Sequence, residues 1–95
     1  MSVQTQIVDR IIRLFGTQEK LASRLNLDQS TISLWKKKGS IPSARQPQII
    51  EESHKLVAEN QLRYPLVPDD FFYLPTDERY RGHGEDIEIP VDTAA

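Results

Sequence analysis

The sequence predicts an all-α fold, a small bundle of four or five helices followed by an acidic, flexible C-terminal tail. Three observations lead there. Apolar residues recur at three- and four-residue steps between Val3 and Val57, the signature of half-buried helices. Gly16, Asn26 and Gly39 fall between successive runs, at places where a left-handed residue stops a helix. The chain has 95 residues and no cysteine, which leaves room for one compact domain held by its own apolar core and excludes disulfide staples and thiolate zinc sites.

In the first helix Val3, Ile7, Ile11, Leu14 and Phe15 form the apolar face, with Asp9, Arg10 and Arg13 between them, and Gly16 ends it. Thr17 is placed to cap a second helix, from Gln18 to Leu25, with Glu19 favourably in its first turn and Leu21, Ala22 and Leu25 on one face. Asn26 closes that helix, because asparagine tolerates the left-handed conformation better than other non-glycine residues. Asp28 is an N-cap for a third helix, from Gln29 to Lys38, in which Ile32 and Trp35 point inward. Gly39 terminates it, and Lys36, Lys37 and Lys38 sit where the helix dipole favours cations. Ser43 with Gln46 makes a capping-box pattern for a fourth helix, whose buried stripe is Ile49 or Ile50, Ser53, Leu56 and Val57. Pro47 would delete one backbone hydrogen bond there, so either a separate short turn precedes this helix or it starts only at Pro47.

Beyond Asn60, prolines at 65, 68 and 75 break up an aromatic-rich segment containing Tyr64, Phe71, Phe72 and Tyr73. It is expected to fold back on the helices as short turns, with Asp69 or Asp70 capping one of them, and to complete a domain over residues 1–75. Residues 76–95 are acidic with little to bury, and are expected to be mostly disordered. Within them Ile87-Glu88-Ile89-Pro90-Val91 alternates with period two and is a candidate edge strand, for instance against a second copy of the chain.

The net charge of −2 conceals a division. Residues 1–45 hold eight Lys or Arg against three acids, and the remainder holds four against eleven, so the halves carry +5 and −7. A basic binding module with an acidic appendage fits this split.

The informative stretch is Gln18 to Lys37. Two short helices joined by a tight turn cross steeply only with a small residue at the crossing, a residue in the turn that accepts positive φ, and apolar side chains from both helices at the right offsets. Ala22, Asn26, and the set Leu21, Leu25, Leu27, Ile32 and Trp35 meet those needs, the pattern of a DNA-binding helix-turn-helix. The segment FGTQEKLASRLNLDQSTISLWKKKGSIP, residues 15–42, resembles the helix-turn-helix of the Cro-like phage and prophage repressors, and is similar also to the YdaS-type antitoxin-like regulators. Phe15 to Gln18, Ser33 to Lys36, and Ile41-Pro42 carry the resemblance, which spans residues 5–60; the family usually has glycine where this chain has Asn26.

With Ile32 and Trp35 buried, Gln29, Ser30, Ser33, Lys36 and Lys37 project outward, with Leu34 towards one edge. Gln29 can offer a bidentate amide to adenine, and Ser30 and Ser33 can donate or accept at base edges. Leu34 is divided between a thymine methyl contact and helix packing. Thr17 and the amides at the start of the second helix can meet a phosphate, and Lys36, Lys37 and Lys38 can anchor the backbone. The resemblance implies that Gln18 contacts phosphate and braces Gln29.

These readings predict a sequence-specific DNA-binding regulator, a Cro-like repressor that binds a pseudo-palindromic operator in double-stranded DNA as a homodimer. Two half-sites are needed because one recognition helix reads only a few base pairs. The aromatic segment 64–73 is the first choice for the dimer surface and the strand-like 87–91 the second. The alternative is an antitoxin-type autoregulator whose acidic tail binds a partner protein. A second role for the tail acids, Asp77, Glu78, Glu85, Asp86, Glu88 and Asp92, is competition with DNA for the basic face. His54 and His83 lack a third ligand at metal spacing, no serine has a base positioned by the sequence, and there is no glycine-rich phosphate loop, so neither cofactor nor enzymatic activity is expected. No apolar run approaches a membrane span, and the expected location is the cytoplasm.

Overall fold

The computed structural model describes residues 3–89, and residues 90–95 of the expected tail lie outside the described residues. Helices α1 (Val3–Phe15), α2 (Gln18–Leu25), α3 (Gln29–Lys38) and α4 (Gln46–Ala58) follow one another, with short 3-10 turns at Ser43–Arg45, Pro68–Phe71 and Gly84–Ile87. The all-α class and the helix order agree with the sequence.

Each boundary has a local cause. The Thr17 hydroxyl accepts the Lys20 amide at 3.1 Å, which satisfies one of the free N–H groups at the start of α2. Asn26 adopts φ 57°, ψ 44°, and the Leu27 and Asn26 amides donate back to the carbonyls of Ala22 and Ser23, the double closure of a Schellman motif. Asn60, at φ 61°, ends α4 in the same way, with the Gln61 and Asn60 amides returning to Leu56 and Val57. Gly39 ends α3 at φ 73°, and a Cβ there would lie 2.8 Å from the Thr5 hydroxyl oxygen of α1.

Two expected caps come out differently. Asp28 stands at the N-cap of α3 but makes no side-chain cap bond. Ser43 does not cap α4; it opens a 3-10 turn and Arg45 holds the N-cap position without a cap bond. Of the two options at Pro47 the separate turn is realised, which places the proline in the first turn of α4 where its missing N–H costs nothing.

The core is one cluster. Ile7, Val8, Ile11, Ile12, Leu14 and Phe15 of α1 meet Leu21, Ala22 and Leu25 of α2, Ile32 and Trp35 of α3, and Ile49 and Leu56 of α4. The apolar face of α1 is therefore wider than the sequence suggests at Val8 and Ile12, while Val3 at its start is half exposed. Ser53 is fully buried with both capacities used, its hydroxyl donating to the Ile50 carbonyl and accepting the Leu66 amide at 2.9 Å.

The aromatic segment folds back as expected. Leu66 and Phe71 are buried, and Asp70 caps its turn by accepting the Val67 amide at 2.7 Å. Part of the stretch expected to be disordered, within residues 76–89, is instead packed on the helices. Ile87 is wholly buried, the Arg63 amide donates to the Ile87 carbonyl at 2.7 Å, and Leu62 and Glu88 form a single antiparallel bridge. The period-two pattern at 87–89 thus serves a pairing within the chain.

What fastens this segment is a buried ionic knot. Arg10 of α1 lies 2.8 Å from an oxygen of Asp70, both side chains almost inaccessible, and its second terminal nitrogen donates to the Gly84 carbonyl at 2.9 Å. The Tyr80 hydroxyl donates to the same Asp70 oxygen and accepts the Gly84 amide. Burial first, then the bond to Asp70, pushes the Tyr80 phenol above its ordinary pKa.

Candidate nucleic-acid interface

The packing of α3 on α2 and α1 buries Ile32 completely and leaves Trp35 only 5% exposed. A 3.6-residue repeat then forces the other side of α3 outward. Gln29, Ser30, Ser33, Lys36, Lys37 and Lys38 are all exposed, and so is Leu34 at 46%. Leu34 therefore lies outside the core cluster. Thr17 is exposed and Gln18 half-buried at the start of α2, beside this ridge.

The amide nitrogen of Gln18 donates to the Ser33 hydroxyl oxygen at 2.7 Å. The brace between the two helices therefore falls on Ser33, one turn into α3, and not on Gln29, as the resemblance implies. Thr17 uses its hydroxyl on the Lys20 amide, so what it can still offer an anion is its own hydroxyl proton and the unpaired amides of the helix start.

The cations are not equivalent. Arg10 is committed to Asp70, Arg13 lies 3.5 Å from Glu88, and Arg24 bonds Glu59 at 3.0 Å and stands 3.8 Å from Glu52. The Arg24 hydrogen bond holds the Glu59 carboxyl below the usual carboxylate range. Lys36 is 3.9 Å from Asp9 of α1, whose Oδ1 accepts no hydrogen bond. Among the described residues Lys20, Lys37 and Lys38 stand in no ion pair. Lys20 is absent from the residues singled out by sequence; its place in the first turn of α2, two after Gln18, is the signal that points to it.

The acids beyond residue 75 are turned elsewhere. Asp77 pairs with Arg79, whose hydrogen bonds hold its carboxyl down to about 2, and Glu88 faces Arg13. Among the described residues no acid of 76–89 pairs with Lys36, Lys37 or Lys38, and no cluster of His, Asp and Glu could hold a metal ion. No helix of the described residues is long and apolar enough to cross a membrane.

The resulting surface is a polar ridge with one apolar side chain, flanked by free lysines and the N-terminus of α2. Hydroxyls and an amide can address base edges, and the lysines and helix start can address phosphates. A family model described as the bacteriophage CI repressor helix-turn-helix domain matches residues 6–53, which take in all of α2 and α3 and most of α1 and α4. No curated protein and no solved structure matches the chain.

Proposed function

Because the chain belongs to the family of the bacteriophage CI repressor helix-turn-helix domain, and is on that ground a DNA-binding regulator, we propose that it is a Cro-like repressor that binds a pseudo-palindromic operator as a symmetric dimer. The observation that supports this reading most is the exposure of the whole outer ridge of α3 while Ile32 and Trp35 hold the helix at its crossing with α2. In this reading α3 enters the major groove with Gln29, Ser30, Ser33 and Leu34 towards the bases, and α2 crosses the backbone with Thr17 and Gln18 at a phosphate. Lys37 and Lys38 anchor the flanking backbone, with Lys36 a weaker partner. Phe72, 53% exposed, and Tyr64, 39% exposed, are the outward members of the aromatic segment and our choice for the contact between copies, since Leu66 and Phe71 are consumed within the chain.

Selection of bound fragments from random duplexes is the test. A consensus with dyad symmetry and half-sites about one helical turn, ~34 Å, apart supports the proposal, and an enriched pool without dyad symmetry refutes the dimeric reading. On the selected site Gln29→Ala should cost about 1 to 3 kcal/mol and relax preference at one position of each half-site, measured by competition against single-base variants. Sedimentation of the full chain carrying Phe72→Glu should show weakened self-association; an unchanged dimer would place the contact elsewhere.

A further inference from the structure

The basic surface does not stop at the end of α3. Residues 29–50 hold four Lys or Arg and no acid, and the last of these cations, Arg45, lies beyond Gly39 in the 3-10 turn that leads into α4. Arg10, Arg13 and Arg24 are each met by a carboxylate, whereas Arg45 stands in no ion pair among the described residues. It is nonetheless held in place. Its backbone amide closes the turn by donating to the Pro42 carbonyl at 2.9 Å, and its Nη1 donates to Oε1 of Gln48 at 3.1 Å. The Gln48 amide nitrogen in turn donates to the Leu25 carbonyl at 3.2 Å, at the end of α2.

The two ends of this relay fix its direction. A guanidinium only donates and a backbone carbonyl only accepts, so the Gln48 side chain must turn its oxygen to Arg45 and its nitrogen to Leu25. Half-buried Arg45 is thereby tied to the last turn of α2, just before the chain enters α3. One of its five guanidinium N–H groups is used in the relay, and four remain. A planar cation without a counter-ion, already ordered, suits a phosphodiester, whose oxygens can take two parallel N–H bonds.

We propose that Arg45 is a DNA-backbone contact outside the helix-turn-helix, positioned by Gln48, through which each copy grips a phosphate beside the groove that α3 enters. The inference rests on the reading of α3 as the recognition helix and extends the contact surface to the entry of α4. Gln48 is the positioning residue. Because its other end is anchored on α2, the guanidinium keeps a constant register with the recognition helix.

The test measures the affinity of the full chain and its variants for the operator selected from random duplexes, at several salt concentrations, with circular dichroism to verify that each variant is folded. Arg45→Ala should lower the slope of log affinity against log salt by about 0.9 per bound copy and weaken single-base variants of the site alike, leaving every base preference in place. Arg45→Lys keeps the charge without the fork, so the slope should return while affinity stays below the parent's. Gln48→Ala should keep the slope and lower affinity by about fivefold, the size of one hydrogen bond, and that loss should vanish when Arg45→Ala is already present.

An unchanged slope in Arg45→Ala, with Lys37→Ala still lowering it, would overturn the inference and leave the recognition helix in place. So would a preference lost at one base position, since the partner would then be a base edge. Equal losses from Gln48→Ala with and without Arg45 would reduce Gln48 to a tie between helices and overturn its positioning role. A parent protein that binds no duplex at low salt would overturn the reading beneath the inference as well.

Discussion

Lys36 and Lys37 are adjacent on α3 and face different surroundings, and DNA binding should report the difference. Lys37 has no ionic partner among the described residues, whereas Lys36 lies 3.9 Å from an Asp9 carboxylate oxygen that accepts no hydrogen bond. A lysine that neutralises one phosphate adds about 0.9 to the slope of log affinity against log salt. Lys37→Ala should therefore reduce that slope by about 0.9 and weaken all duplexes alike, and Lys36→Ala should do less. Asp9→Asn should steepen the slope by freeing Lys36, as read from titrations at several salt concentrations; equal slopes for both lysine variants would show that the Asp9 contact does not persist near DNA. A second residue-scale outcome concerns Tyr80, whose phenol is pushed above its ordinary value by burial and by its bond to Asp70. The folded state then holds the proton more tightly than the unfolded chain does. The associated stability is fully present below the unfolded value near pH 10 and is lost as pH rises through the folded one. Denaturant titrations from about pH 8 to about pH 11 should show an alkaline loss in the parent chain that Tyr80→Phe lacks, even though that variant is weaker at every pH for want of two hydrogen bonds.

Among the elements, what proved legible was local. Thr17, Asn26 and Gly39 mark their boundaries because a cap or a left-handed turn is decided by one residue and its nearest neighbours, and the stripe of α2 and α3 follows from a 3.6-residue period. Asn60 carries the same signal as Asn26 and closes α4 by the same pair of bonds, so that ending was readable too. The Ser43 and Gln46 pattern misled because a capping box needs a helix to follow at once, and Pro42 and Pro47 instead divide the entry into a 3-10 turn and a helix. Left-handed closures stand on either side of α3, at Asn26 and Gly39, and they should respond differently to alanine. At Asn26 the cost is backbone strain alone, so Asn26→Ala should lose about 1 to 2 kcal/mol and Asn26→Gly little or nothing. At Gly39 a Cβ meets Thr5 at 2.8 Å as well as φ 73°, so Gly39→Ala should cost more than Asn26→Ala. Chemical denaturation of the three variants is the measurement, and equal losses at the two sites would mean that α1 yields to the added methyl.

The candidate site lay within two neighbouring helices and was therefore largely visible in the sequence, while the molecule's long-range pairing was not. Arg10 stands three residues after Ile7 and four before Leu14, in the middle of the buried stripe, and that position was the available sign that it faces inward. Nothing local could name Asp70, sixty positions on, as its partner. Across the chain, the pairing of Arg10, Arg13 and Arg24 with Asp70, Glu88, Glu52 and Glu59 lets the acidic half neutralise the back of the basic half, so a net charge of −2 is compatible with a cationic ridge on α3. The same knot makes residues 77–89 part of the fold. Replacing Arg10 by Met leaves the Asp70 carboxylate buried without its counter-ion, which should cost about 3 to 5 kcal/mol. Truncation after Thr76 keeps the ion pair but removes the Tyr80 hydroxyl, the Gly84 carbonyl and the buried Ile87, whose side chain alone is worth about 1.5 to 3 kcal/mol. At about 4 to 8 °C per kcal/mol for a domain of this size, the truncated chain should melt on the order of 10 to 20 °C below the parent in calorimetry. A melting temperature unchanged by the truncation would mean that the body from α1 to Phe71 is stable alone, and that Ile87, Tyr80 and Gly84 rest on it without holding it.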